Sequence, residues 1–478
     1  MKHYFTALLF LMIVKLATAQ DCECQKEFEF VANYYEENLP GFTDNVTEDN
    51  LAAYTKFKEK LYNQAKNYCN DEDLCFKTLL VYVEFFKDNH SSIYTNKSFN
   101  VDESNEEEVN KFLISDLFKN REIFQNINLN INNPIQDIEN QYQTKDAAYT
   151  VAIVKNENEF RDYVGVIIDS KTSLWKKGQV KFELKKVKEN TYDMFMYMRN
   201  HSLRYYKNVK LTTNGILNDS WFNTQLKERK SYNIDVTTRE LTFKEIDEET
   251  NYMYIPTFSG NWFAKISEFY EQHDAKIQAK PYLIIDVRNN GGGSDACASP
   301  LLKYIYTKPF QTDKVDVYAT KQNTRKFLEW YNDMKNDTAN FSKEFLKGVK
   351  EEIETMKSVP NKTFIPRGTG ETVTLDTVLE NPKKVVIMIN KYCASSCESL
   401  LFWAMESDKA IIVGENSGGY VGYGEISGVN TPNFNFELGC TMTRYSHQRK
   451  YEADGIPPKY YFNNDKDWIE QAVDILKK

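Results

Sequence analysis

Hydrophobic positions change their period twice along the chain. Near the N-terminus Phe28, Val31, Tyr34 and Tyr35 recur at the spacing of one helix face, and Leu79, Val81, Val83, Phe85 and Phe86 form a second dense apolar stretch. They predict a helical unit over 20–125, in which a polar, acidic loop at 102–108 precedes a last short helical segment at 109–124. From about 147 the period shortens. Runs at 148–154, 163–168, 179–184, 191–198, 205–211 and 232–236, many β-branched or aromatic, are separated by turn residues and predict an antiparallel β domain or barrel over 126–238. Beyond 239, nearly continuous apolar runs at 252–255, 282–287 and 384–389 are each followed by helical sequence, the pattern of buried strands in an α/β core extending to 478. An insertion at about 320–358 is charged and helical, with Phe327, Trp330, Tyr331 and Met334 on one face. It reads as a packed surface element, with a substrate cap as the functional alternative.

The first residues read as an address. Lys2 precedes an apolar run at 5–14, and Leu16-Ala17-Thr18-Ala19 ends in a small-x-small pattern, so 1–19 is expected to be a signal peptide. That run is too short to cross a hydrocarbon layer of ~30 Å, and no later segment reaches a spanning length. No transmembrane segment is expected. The residues before Cys22 are not those of a lipid-anchor signal. With 41% hydrophobic and 27% charged residues, and only 19 Gly and 12 Pro, collagen-like and wholly disordered chains are excluded. The net charge of −9, more negative once Lys2 and Lys15 leave with the leader, disfavours nucleic acid as a partner. Export makes disulfides possible in both cysteine groups, Cys22, Cys24, Cys69 and Cys75 and then Cys297, Cys393, Cys397 and Cys440, with connectivity open. Zinc spacing is missing and the five histidines are scattered, so no metal is expected.

Two turns could carry chemistry. Asp286-Val287-Arg288-Asn289-Asn290-Gly291-Gly292-Gly293-Ser294 follows a buried strand, and its glycines leave N–H groups accessible to an anion or a developing oxyanion. It lacks both the dinucleotide fingerprint and the phosphate-loop pattern. Lys391-Tyr392-Cys393-Ala394-Ser395-Ser396-Cys397-Glu398 runs from another strand into an apolar helix. A serine there sits at the sheet end near a helix dipole, which suits a nucleophile; equally, Ser-x-x-Glu fits a capping box.

Together the two turns resemble the tail-specific, or C-terminal processing, serine protease family, including its tricorn-like and exported bacterial branches. The family's Asp-x-Arg-x-Asn-x-Gly-Gly turn is matched by Asp286 to Gly293, its nucleophile turn by Cys393 to Glu398, and its Val-Gly-Glu strand end by Val413-Gly414-Glu415. The resemblance implies an α/β catalytic core of the ClpP/crotonase-like type, with Ser395 as nucleophile and Ser396 as the adjacent competitor. The lysine that bacterial members place after Val-Gly-Glu is absent from 418–423, so a Ser-Lys dyad is not expected. Tricorn-like members take a histidine from the helical unit, and Asp88-Asn89-His90-Ser91 is similar to their turn, which makes His90 the expected base. A neutral imidazole can accept a serine proton near pH 7. His447 is the rival. The Glu452-Ala453-Asp454-Gly455 element implies Glu452 as the acid that orients the imidazole, with Asp454 as the alternative. The N–H groups of Gly292 and Ser396 would form the oxyanion hole. No metal or cofactor is required, and the partner would be a peptide or protein substrate.

No carboxylate-binding loop of a PDZ domain is found in 120–235, so the β domain is expected to stand in its place. The leader and the resemblance imply export, periplasmic or secreted. The alternative function is a catalytically inactive protease fold that binds a peptide or hydrophobic ligand, with Cys393 or Cys397 in a disulfide that fixes the turn. Surface binding through Trp175, Tyr205, Tyr206 and Trp221 is a third reading, although such aromatics commonly serve as core or strand-pair residues.

Overall fold

Helices Glu23–Asn38, Leu51–Asn67 and Glu72–Glu84 open the computed structural model, which describes residues 22–96, 99–124, 133–212, 216–217, 220–226, 239–337, 341–463 and 466–478. The first helix buries Cys24, Phe28, Val31, Ala32 and Tyr35, a stripe at helical spacing. Asp71 caps the third by accepting the Leu74 N–H at 2.9 Å. Disulfides Cys22–Cys69 and Cys24–Cys75 tie the start of the first helix to the turn after the second and to the first turn of the third. The short helical segment resolves into Glu106–Leu113 and Asp116–Lys119. The expected leader lies outside the described residues.

The other four cysteines correct the expectation of disulfides in both groups. Cys297, Cys393, Cys397 and Cys440 are free and buried. Cys393 donates instead to the Val287 carbonyl at 2.9 Å, and burial raises the thiols of Cys397 and Cys440 well above their ordinary pKa.

Eight antiparallel strands follow. Their order is Leu203–Lys210, Thr191–Tyr197, Val180–Lys188, Tyr163–Ser170, Tyr149–Lys155, Gln141–Thr144, Trp221–Asn223 and Ile216–Leu217. A bridge between Leu211 and Leu217 brings the two ends of that order together. Phe182 fills the interior so closely that a Cβ at Gly165 would lie 2.4 Å from its ring. Trp175 and Trp221 are buried, which removes them as surface binders. The run expected at 232–236 lies outside the described residues.

Among the described residues the last part holds two large sheets and a two-stranded one, Phe310–Gln311 with Thr372–Val373. A six-stranded sheet has the order Thr242–Glu245, Thr250–Tyr254, Tyr282–Asp286, Lys384–Ile389, Ala410–Gly414 and Tyr460–Tyr461, parallel throughout except for the first pair. Met253, Ile255, Leu283, Ile285, Val385 and Ile387 face one side, where helices Phe263–Ala279 and Ser396–Met405 pack. The alternate residues Tyr252, Tyr254, Ile284, Val386 and Met388 face helix Trp468–Leu476. Helices on both faces explain why these strands read as continuous apolar runs.

The second sheet was not anticipated. Ile93–Tyr94, Lys314–Ala319, Thr363–Thr369 and Tyr423–Asn430 gather around Glu437–Tyr445, all antiparallel. The insertion is a pair of helices, Lys321–Met334 and Lys343–Ser358, carried between two of those strands. Among the described residues no helix is long and apolar enough to cross a membrane.

Candidate active site

At the C-terminal end of Lys384–Ile389 the chain turns into helix Ser396–Met405. Ser395 precedes that helix with φ 57° and ψ −123°. A non-glycine residue in this region costs about 1–3 kcal/mol and persists only where its surroundings over-determine it. They do. The Ala394 N–H donates to the Asn290 carbonyl at 3.1 Å and the Cys393 N–H to the Asn390 carbonyl at 2.9 Å. Glu398, wholly buried, accepts from the N–H groups of Ser395 (2.9 Å), Gly419 (2.8 Å) and Tyr420 (2.9 Å) and from the Ser417 hydroxyl. Burial raises its carboxyl pKa, and those donors oppose the rise. The glutamate that reads as half of a capping box thus binds the serine turn to 417–420.

The glycine turn lies directly against it. Asp286 closes its strand in a buried pair with Arg288 (Nη2 at 2.7 Å) and accepts the Tyr252 hydroxyl at 2.9 Å. Gly292 has φ 86°, and an added Cβ would lie 2.4 Å from the Ala394 oxygen and 2.8 Å from the Ser396 nitrogen. Only glycine permits this approach. The Gly292 N–H, expected in the oxyanion hole, instead donates to Asn290 Oδ1 at 2.9 Å. Gly293 is the amide the sequence did not single out. Its neighbours bond to Phe258 on both sides, through Phe258 N–H to the Gly292 carbonyl and Ser294 N–H to the Phe258 carbonyl, which turns the Gly293 N–H away from that partner. The Ser396 N–H, first of its helix, has no intrahelical acceptor.

His90 arrives from the helical unit. Asp88, buried, accepts the N–H groups of His90 (3.0 Å) and Ser91 (3.1 Å) and the hydroxyls of Ser91 (2.7 Å) and Thr441 (2.6 Å). The imidazole stands edge-on to the Tyr420 ring at 5.2 Å. Burial lowers its pKa from 6.5, while the Asp88 charge and the Tyr423 carbonyl push it back up. His90, Gly293, Ser395, Ser396, Tyr420 and Tyr423 line one cavity of about 650 Å³.

Glu452 accepts three main-chain N–H groups, from Asn89 (2.7 Å), Val421 (2.9 Å) and Gly422 (2.5 Å). It therefore holds the peptide beside His90, and among the described residues His90 Nδ1 is buried without a hydrogen-bond partner. Burial and the neighbouring Asp88 push the Glu452 carboxyl up to about 8. Asp454 is exposed. His447 is exposed too, and its Nδ1 pairs with Asp313 at 2.8 Å. His201 is bonded to the Leu174 carbonyl, and His273 stacks on Phe243. Among the described residues no three or more His, Cys, Asp or Glu side chains gather as metal ligands.

Residues 249–462 match the model of peptidase family S41. The region 249–462 is similar to the S41 peptidases. The match supports a serine-type peptidase. The S41 match contains the glycine turn, Ser395 and Glu452, and stops short of His90. Solved structures to which the chain shows similarity include mature CPAF complexed with lactacystin, at 12% identity and a TM-score of 0.49, covering 95% of this chain and 97% of that one. The photosystem II D1 C-terminal processing protease follows at 10% identity and 0.35, covering 95% and 96%. The tricorn protease is at 11% and 0.36, covering 95% of this chain and 37% of its own. At these scores the S41 similarity rests on the family model alone. No curated protein matches the chain in sequence.

Proposed function

We propose that this protein is an exported peptidase that cleaves peptide bonds with Ser395 as nucleophile and His90 as base, in place of a Ser-Lys dyad. The single observation that carries the reading is the strained Ser395, raised at a helix N-terminus into the cavity that His90 also lines. His90 takes the Ser395 proton as Oγ attacks the carbonyl carbon. The oxyanion is received by the N–H groups of Ser396 and Gly293, the latter in place of Gly292. Collapse breaks the C–N bond, His90 returns the proton to the leaving amine, and water then attacks the acyl-enzyme with the same base.

Asp88 is the carboxylate whose field bears on the imidazole, and Glu452 fixes the backbone that presents it. The core over 239–478 is read as ClpP/crotonase-like, with 20–125 and 126–238 as the helical and β units. Export is supported by the leader pattern and by two disulfides in the helical unit. The alternative, an inactive protease fold that binds a peptide or hydrophobic ligand, is favoured by the unpartnered Nδ1 of His90.

Labelling of the purified protein with a small fluorophosphonate separates the two. Loss of labelling in Ser395→Ala and His90→Ala, with retention in Ser396→Ala, is the expected result. A folded wild-type protein that takes no label contradicts the catalytic reading and supports the binding one.

A further inference from the structure

Next to the catalytic cavity lies an apolar one of about 860 Å³, under the helix pair Lys321–Met334 and Lys343–Ser358. Phe327, Trp330, Met334, Val349 and Ile365 form its walls. The two cavities meet, because Phe345 and Glu425 line both. Phe345 is 50% exposed where the two cavities adjoin. Arg367 is the cation on the wall, and its charge is already taken up by Glu352 (Nε at 2.7 Å, Nη2 at 2.9 Å) and Glu425 (Nη1 at 2.7 Å). Asp333 and Glu351 add negative charge to the rim.

Gly348 gives the second line of argument. It sits inside helix Lys343–Ser358, where glycine costs about 1 kcal/mol relative to alanine. Its φ needs no glycine, and an added Cβ would meet no heavy atom within 4 Å. The missing side chain leaves the cavity open on that side.

We infer that this cavity is the specificity subsite of the peptidase, seating a bulky apolar or aromatic side chain of the substrate beside the cleaved bond and disfavouring acidic neighbours. The inference rests on the catalytic reading above. Continuity through Phe345 and Glu425 identifies the occupant, since an extended peptide bound at Ser395 runs into the apolar walls. The volume falls within the range of ligand pockets. The helix pair is then more than packing on the sheet.

The test is digestion of a peptide library by the full chain, wild type against Gly348→Trp, with fluorophosphonate labelling of the wild type alongside. Wild type should cut next to Leu, Met, Phe or Tyr and avoid neighbouring Asp and Glu. Gly348→Trp, whose ring enters open space, should lower cleavage at those sites relative to alanine sites by about tenfold or more. Phe345→Ala, at an exposed position, should weaken the preference for aromatics by several-fold and covers the case in which the tryptophan disturbs folding. A labelled wild type whose cleavage profile lacks the preference, or keeps it in both variants, overturns this inference and leaves the catalytic reading standing. A wild type that takes no label overturns both. A wild-type dimer in sedimentation that Gly348→Trp dissociates would mean that a second copy fills the cavity, and overturns the subsite.

Discussion

Ser395 and His90 face one cavity but are anchored by different means. The serine turn is held by residues close to it in sequence or on adjacent parallel strands: Asn290, Gly292, Asn390 and Glu398 all lie within one α/β layer. The histidine turn is held from far away, by Thr441 through Asp88 and by Glu452 through the Asn89 N–H, 363 residues later. Its foundation is a small helical unit with two disulfides, whereas the serine layer keeps three thiols, Cys297, Cys393 and Cys397, free and buried. The serine side is therefore rigid by packing, and the histidine side by long-range bonds and covalent staples.

The largest way to break this symmetry is Gly292→Ala. A Cβ at φ 86° collides with main-chain atoms of the serine turn, at a cost on the order of 4 kcal/mol. Fluorophosphonate labelling should disappear, while the two native disulfides survive in a peptide map. Reduction by dithiothreitol strikes the other side. Each disulfide closes a loop of similar length, with separations of 47 and 51, and each contributes about 4 kcal/mol or less. Activity should fall with loss of the helical unit, and the change should be followed by circular dichroism. Before reduction, the four buried thiols should fail to react with a thiol reagent until the protein is unfolded.

Glu398→Gln sharpens the comparison at smaller cost. The amide offers an NH2 where the carboxylate received four donors, so two of them lose their acceptor, at about 2 kcal/mol in denaturant unfolding. Asp88→Asn is the mildest, since asparagine can accept both N–H groups and donate to both hydroxyls. Burial already lowers the His90 pKa below 6.5, so the acid limb of kcat/KM should lie below that pH. Loss of the Asp88 charge should move the limb further to the acid side. In the same window the unfolded chain binds more protons than the folded one, so the His90 contribution to stability is complete above about 6.5 and is lost as pH falls towards the folded pKa.

The same contrast decides what was legible in the sequence. The serine turn and its glycine partner were readable because strand, turn and helix signals are local. Three central strands of the six-stranded sheet announced themselves through buried apolar runs, and most of the β unit through short alternating ones. Gln141–Thr144 and Trp221–Asn223 are too short to show a period. The five-stranded sheet was missed because Thr363–Thr369 contains Pro366 and Gly368 and Tyr423–Asn430 contains two glycines, so pairing with Lys314–Ala319 and with Glu437–Tyr445 respectively overrides poor strand propensity. Which glycine amide faces the cavity was likewise hidden, because the Asn290 side chain sets the peptide plane. Glu452 was found by motif, but only its contacts place it on the backbone next to His90.

The reach of Glu437–Tyr445 and Glu452 back to the His90 turn also sets a clock. A ribosome delivers His90 early and Ser395 late, yet the segments that hold the histidine turn come last of all. Throughout translation the growing polypeptide carries His90 without a mount. A chain interrupted before residue 437 would carry Ser395 and His90 but lack the segments that hold the histidine turn.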